Sequence, residues 1–205
     1  MRILLARHGL TDWNKDHIFQ GSTDRDLSPE GLAQAVKLSM RVMSWGAEAV
    51  YTSPLKRAFV TAQEIAGSQG LTPIILPELE EIHFGDWEGK SIPQLKAEKP
   101  DEFLRWEEDP FFNCPPNAEQ WPELVIRLEA AIQTITSGSY ERVIAVTHGG
   151  IIRAMLSIML DLTPSSVWRM EISNCSLTCV DCDEWGRFRL VFLNDASHIK
   201  DWESE

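Results

Sequence analysis

The chain has 205 residues, 43% of them hydrophobic and 24% charged, with 31 Asp and Glu against 19 Lys and Arg for a net charge of -12. This composition excludes disordered and collagen-like classes, and at ~150 residues per domain the length suits one α/β domain or two small ones. An acidic surface argues against nucleic acid or an anionic membrane as partner, so any anion site must be assembled locally from a few arginines. The apolar run between Arg2 and Arg7 is too short for a signal-peptide core, no stretch approaches transmembrane length, and the four cysteines suggest no disulfide framework; the expected location is cytoplasmic.

Ile3-Leu4-Leu5-Ala6 is a continuous apolar run suited to a central parallel strand, and it ends in Arg7-His8-Gly9. Ser28-Pro29-Glu30 predicts the start of a helix whose apolar positions are Leu32, Val36, Ser39-Met40 and Met43, stopping near Gly46. A strand over 47–52 reaches Ser53-Pro54 and a second helix, with Arg57 in its first turn and Ala58, Thr61, Ala62, Ile65 and Ala66 along one side. Ile74-Ile75-Leu76 reads as a third strand feeding an acidic loop over 78–89. Ser91 caps a helix through Lys99, and 110–122 is an irregular, proline-rich excursion.

Leu124, Leu128, Ala131, Ile132 and Ile135 mark a further helix, and Val143-Ile144-Ala145-Val146 is the clearest buried strand. That strand ends in Thr147-His148-Gly149-Gly150 and runs into a helix over 151–160. Strands around 177–180 and 188–193 flank Glu184-Trp185-Gly186 as a hairpin. With no repeat or low-complexity linker, the alternation predicts one α/β domain over 1–205 with a mostly parallel sheet.

Two segments share a shape: each places a His followed by Gly just past an apolar strand, where open α/β sheets bind ligands. Either histidine alone is more often a packing residue, and zinc is the rival use, but no His-x-x-x-His spacing or acidic ligand spacing accompanies them. The arginines change the reading. Arg7 precedes His8, and Arg57 lies just inside a helix N-terminus after another strand; two guanidinium groups and a helix dipole make a phosphate site. Cys175, Cys179 and Cys182 read as small buried thiols on a strand, with no fourth ligand for a metal. His83 reads as a pocket rim or structural residue and His17 as a surface residue, while Trp106 and Trp121 flank the excursion that would cover the site.

Leu5-Ala6-Arg7-His8-Gly9 with Thr11-Asp12-Trp13-Asn14 resembles the signature of the histidine phosphatase (phosphoglycerate mutase-like) superfamily. The resemblance continues through Phe19-Gln20-Gly21-Ser22-Thr23-Asp24, Leu27-Ser28-Pro29-Glu30-Gly31, Ser53-Pro54-Leu55-Lys56-Arg57-Ala58, Glu81-Ile82-His83-Phe84-Gly85-Asp86-Trp87-Glu88-Gly89 and Thr147-His148-Gly149-Gly150 with Arg153. It implies a three-layer α/β/α fold with a lid-like insertion around 86–122. It also implies a phosphohistidine on His8, phosphoryl oxygens held by Arg7 and Arg57, donation to them from His148, and Glu81 as acid and then base. Asn14, Gln20, Gly21, Thr23 and the Gly149 backbone would complete the pocket, with no metal and no cofactor. Glu80, and also Glu78 and Glu88, compete with Glu81 because the loop is acidic throughout; Glu81 is chosen for its Glu-x-x-x-Gly spacing to Gly85, with Glu80 as the main alternative.

The superfamily holds phosphatases and mutases. The 86–121 region here is short and acidic, with Glu107-Glu108-Asp109 and no paired arginines for a second anionic group, which suits hydrolysis of a monophosphate with a neutral or bulky organic part. The stretches at 84–89 and 148–153 are similar to α-ribazole phosphatases and to broad-specificity phosphatases of the same branch. Leu10 and Asn117-Ala118-Glu119-Gln120 depart from the pattern where relatives more often carry Glu and Gly-Gly-Glu-Ser. A cofactor-dependent phosphoglycerate mutase and a non-catalytic phosphate-binding module stand as alternatives. The expected partner is a small phosphomonoester, with homodimerisation left open.

Overall fold

In the computed structural model, which describes residues 1–199, the first apolar run forms β1 (Arg2–Arg7), with Ile3 to Ala6 all buried. Residues 200–205 of the expected domain lie outside the described residues. The chain continues through α1 (Asp12–Lys15), α2 (Pro29–Val42), β2 (Ala49–Thr52), α3 (Lys56–Gln69) and the short β3 (Ile74–Ile75). Two 3-10 turns, Pro77–Leu79 and Gly85–Trp87, lead to α4 (Ile92–Glu98) and α5 (Pro100–Glu108). Then follow α6 (Trp121–Thr136), β4 (Arg142–Thr147), α7 (Gly149–Leu160), α8 (Pro164–Trp168), β5 (Leu177–Cys182) and β6 (Phe188–Asp195). Among the described residues no helix is long and apolar enough to cross a membrane.

The six strands form one sheet in the order β3-β2-β4-β1-β5-β6, parallel from β3 to β1 and antiparallel at β5 and β6. Successive side chains point to opposite faces. Ile3, Leu5, Val143 and Ala145 pack with Leu128 of α6 and Met155 of α7 on one side. Leu4, Ala6, Ile144 and Val146 pack with Leu38 of α2 and Ile65 of α3 on the other. Each fully buried Leu, Ile, Val or Met among these contributes roughly 1.5–3 kcal/mol. The three-layer α/β/α architecture with a mostly parallel sheet is as expected. A third, small cluster of Trp87, Leu95, Phe103 and Trp106 joins α4 and α5 to the loop before them.

The register positions the site. Arg7 lies beside Thr147, and Thr52 beside Val146, so the residues that follow, His8, His148 and Ser53, emerge together at the carboxyl edge of the sheet.

One predicted helix face is corrected. Leu32, Val36, Met40 and Met43 of α2 are 46%, 42%, 56% and 57% exposed, and the buried side is Gly31, Ala35, Leu38, Ser39 and Val42. The rotation follows from a close approach: a Cβ at Gly31 would collide with the Leu10 carbonyl, so the helix turns its smallest residues inward. The second strand begins at Ala49 instead of residue 47, and Ile74 and Ile75 form an exposed edge while Leu76 is buried. Two further helices, α5 and α8, each begin with Pro at the first position. Cys175 precedes β5 in a left-handed conformation (φ 54°) and packs in the same cluster as Cys179; all four cysteines are free.

Candidate active site

His8 is 2% exposed, and its backbone N–H donates to the Thr147 carbonyl at 2.9 Å. Its ring Nδ1 lies 2.7 Å from the Gly9 carbonyl. A carbonyl only accepts, so Nδ1 holds the proton and Nε2 the lone pair. Burial, reinforced by the Arg57 and Arg7 charges, pulls this imidazole well below the ordinary histidine range, against a smaller opposing effect of the Gly9 carbonyl. At neutral pH the ring is therefore neutral, with Nε2 unprotonated. Behind it, the Cys175 N–H donates to the Arg7 and His8 carbonyls, and Asn174 Nδ2 donates to the His8 carbonyl at 3.1 Å.

His148 ends β4 and caps α7, with its ring centroid 5.1 Å from that of His8. Its Nε2 lies 2.8 Å from Ser53 Oγ, while Nδ1 is buried without a partner. The Ser53 hydroxyl can donate to Nε2, and in that arrangement Nδ1 carries the proton and is free to donate. Burial, with the charges of Arg57, His8, Arg7 and Arg127, pulls this ring well below the ordinary histidine range.

Arg57, 1% exposed, donates from Nη1 to the Thr23 carbonyl at 2.9 Å and from Nη2 to the Gly21 carbonyl at 2.7 Å. Arg7 donates from Nη1 to the Ile172 carbonyl at 2.6 Å. Burial lowers both guanidinium groups, Arg7 to about 10, which leaves them cationic at neutral pH. Arg7 Nε, Arg57 Nε and His148 Nδ1 are all buried without a hydrogen-bond partner. A buried donor left unpaired costs roughly 1–3 kcal/mol, and unpaired nitrogens on the β1 end, the α7 N-cap and the first turn of α3 suit an anion as their partner.

Arg7, His8, Arg57 and Glu81 line one cavity of about 400 Å³, together with Asn14, Gln20 and Gly21. Of the two acidic candidates, Glu81 lines the cavity. Glu80 does not, and its carbonyl accepts from Arg127 Nη1. The Glu81 carboxylate accepts from the N–H of Ile82 at 3.0 Å and from that of Gly150, in the first turn of α7, at 3.4 Å. Gly150 gives this carboxylate room: a Cβ there would lie 2.7 Å from Glu81 Oε1 and push the side chain aside.

Asn14 Oδ1 accepts from Thr11 and Asn174, and Gln20 Oε1 accepts from Thr11 Oγ1. Thr23 is outside the lining: its hydroxyl donates to Glu88, and it reaches the site only through its carbonyl on Arg57. Gly149 and the fully buried His148 are likewise outside it; Gly149 lies against Arg7 Nε, 3.4 Å from where its Cβ would be, and the His148 ring lies next to His8.

The outer part of the cavity is aromatic: Trp13, Phe19, Phe84, Trp106 and Trp168. Trp121 packs instead on Phe111, His83 is exposed outside the lining, and His17 is exposed at the cavity. Sequence reasoning missed Ser53, Asn174 and Trp168 as contributors, of which only Ser53 carried a local signal, as the residue just past a strand end; Glu88, weighed as a competing acid, lies outside the lining. A wider groove of about 860 Å³ lies at the opposite ends of the strands, where Arg2 and Arg187 pair with Asp181 and Asp183; it contains neither strand-end histidine.

Comparison with known proteins places the chain among related sequences and folds. Over 206 residues the chain is 28% identical to phosphoserine phosphatase 1 of Hydrogenobacter thermophilus, covering all of this chain (100%) and 97% of the relative. It is 32% identical over 191 residues to a protein of Yersinia enterocolitica described as a probable phosphoglycerate mutase, covering 90% of this chain and 86% of that one. Among solved structures, the α-ribazole phosphatase of Shigella flexneri superposes with a TM-score of 0.84 at 27% identity, covering 95% of this chain and 96% of that one. The family model for the histidine phosphatase superfamily (branch 1) matches residues 3–196, and the chain belongs to that superfamily.

Proposed function

We propose that the protein hydrolyses small phosphomonoesters through a phosphohistidine on His8, without a metal ion. In the first half-reaction His8 Nε2 attacks phosphorus, the ester P–O bond breaks, and Glu81 gives its proton to the departing oxygen. In the second, Glu81 takes a proton from water, the water oxygen bonds to phosphorus, and the P–N bond breaks to release phosphate. Arg7, Arg57 and His148 stabilise the equatorial oxygens, which is most of what phosphoryl transfer requires of a protein. One observation carries this reading: two buried, neutral imidazoles with ring centroids 5.1 Å apart adjoin the buried Arg57 and partly buried Arg7 guanidinium groups, whose Nε atoms are buried and unpaired.

The substrate's organic part is read from the outer cavity. Arg7 and Arg57 are the only Lys or Arg in its lining, and most of the remaining wall mixes aromatic (Trp13, Phe19, Phe84, Trp106, Trp168) and aliphatic side chains with uncharged amides. A neutral, apolar or aromatic leaving group suits that wall, whereas a mutase would need further cations to hold a second anionic group. α-Ribazole 5'-phosphate is one ester of this class, and a broad range of such esters is equally compatible.

Hydrolysis of nitrophenyl phosphate with and without EDTA tests the proposal. Turnover undiminished by the chelator is expected. Activity that disappears with EDTA would overturn metal independence, and phosphate binding without any turnover would favour the non-catalytic module.

A further inference from the structure

Glu88 lies outside the cavity lining and has no part in the steps above, yet its carboxylate is the most heavily hydrogen-bonded acid near the site. Oε1 accepts from the Ser22 N–H at 3.0 Å, Ser22 Oγ at 3.2 Å and the Phe84 N–H at 3.0 Å. Oε2 accepts from the Thr23 N–H at 3.1 Å and from Thr23 Oγ1. A carboxylate offers about four lone-pair sites, so these bonds use its accepting capacity in full. The donors belong to two loops that are otherwise far apart in sequence. One supplies the Gly21 and Thr23 carbonyls that grip Arg57, and the other, through Phe84, carries Glu81 three residues earlier.

We propose that Glu88 is a positioning residue that latches the phosphate-gripping loop to the acid-bearing loop, so that Arg57 and Glu81 are set by one carboxylate. This rests on the phosphatase reading above. The loop is shaped for the contact: Gly21 has φ +53°, and any Cβ there would collide with Glu88 Oε1. Burial alone would raise this acid, but bonds from Thr23, Ser22 and Phe84, with the nearby His83, outweigh it and hold the group below the usual carboxylate range. Only an ionised carboxylate can accept on both sides. A glutamine would point an amide N–H at one loop's donors.

Glu88→Gln tests the latch by two readouts. Calorimetric binding of inorganic phosphate reports the Arg57 half, and kcat/KM on nitrophenyl and alkyl phosphates reports the Glu81 half. The expectation is phosphate binding weakened by about tenfold, and kcat/KM lowered by about ten- to a hundredfold on both esters, since misplacement by an ångström is enough for that. Glu81→Gln should instead hit the alkyl ester far harder than the nitrophenyl ester, whose leaving group departs without a proton. Thr23→Val removes one donor while keeping the charge, and should shift both readouts less in the same direction; it decides the matter if the glutamine variant does not fold.

Leu38→Ala, a core change far from either loop, controls for general destabilisation and should lower Tm while leaving phosphate affinity unchanged. Unchanged phosphate affinity in folded Glu88→Gln, or a loss confined to the alkyl ester, would overturn the proposal. If the wild-type protein hydrolyses no ester, the phosphatase reading fails, while the phosphate isotherms still decide whether Glu88 positions Arg57.

Discussion

The ends of β1 and β4 present the same pair of residues, His then Gly, on adjacent parallel strands, yet the two rings are tied in opposite ways. His8 uses Nδ1 on the carbonyl of its own neighbour Gly9, which frees Nε2 as a lone pair. His148 uses Nε2 on Ser53, which leaves Nδ1 as the unpaired atom. After His8 the chain continues into a loop whose Gly9 N–H is held by Thr61, whereas after His148 it enters α7 directly. Similar sequence therefore leaves Nε2 free on one ring and Nδ1 free on the other, which is the division of labour the proposed mechanism uses, and the difference lies in the hydrogen bond each ring makes.

The largest effect that sharpens this comparison is at the attacking ring. His8→Ala should lower kcat by about a thousandfold or more while the protein stays folded, measured by steady-state hydrolysis alongside circular dichroism. Retained turnover would end the distinction between the rings. His148→Ala removes a donor and spares the nucleophile, so the loss expected is smaller, about a hundred- to a thousandfold in kcat. Burst kinetics on nitrophenyl phosphate should then still show phosphate transferred once per enzyme.

Ser53→Ala tests what sets the second ring's tautomer. Losing that hydroxyl should cost about 1 kcal/mol of alignment, a several-fold fall in kcat with little change in KM. No change would mean that Nδ1 keeps its proton without Ser53.

The smallest effect is on stability. Both rings are held below the ordinary histidine value in the fold, so the unfolded chain binds more protons than the native one once pH drops below about 6.5. Their contribution is complete above that value and is lost as pH falls toward the native values. Thermal melts from pH 7.5 to 5.5 should show Tm falling with pH, and a shallower fall in His148→Asn; equal slopes would contradict the assigned shifts.

Much of the frame is legible in the sequence for identifiable reasons. β1 and β4 are covered on both faces, so Ile3–Ala6 and Val143–Val146 read as unbroken apolar runs, and α6 shows its core positions Leu124, Leu128, Ala131 and Ile135 at helical spacing. The rotation of α2 was hidden because its apolar residues cover a wide arc, and the Gly31 approach to Leu10, a tertiary contact, chose which part turned inward. The short helices α5 and α8 start on a proline, which reads equally well as a loop.

The site divides in the same way. Arg7, His8, Arg57 and Glu81 sit beside strand ends or in marked loops and meet in one cavity. Asn174 and Glu88 act through hydrogen bonds spanning 166 and 66 positions, which no local pattern records.

The account stands on covalent transfer of phosphorus to one of the two strand-end rings. Wild-type enzyme quenched within its first turnover of nitrophenyl phosphate, digested in alkali and analysed by mass spectrometry tests this directly. A phosphoryl group on the peptide containing His8, stable to base and lost in acid, is the result expected. Phosphate carried on His148 or any other side chain, or a rapid turnover that never populates a modified enzyme, would contradict it.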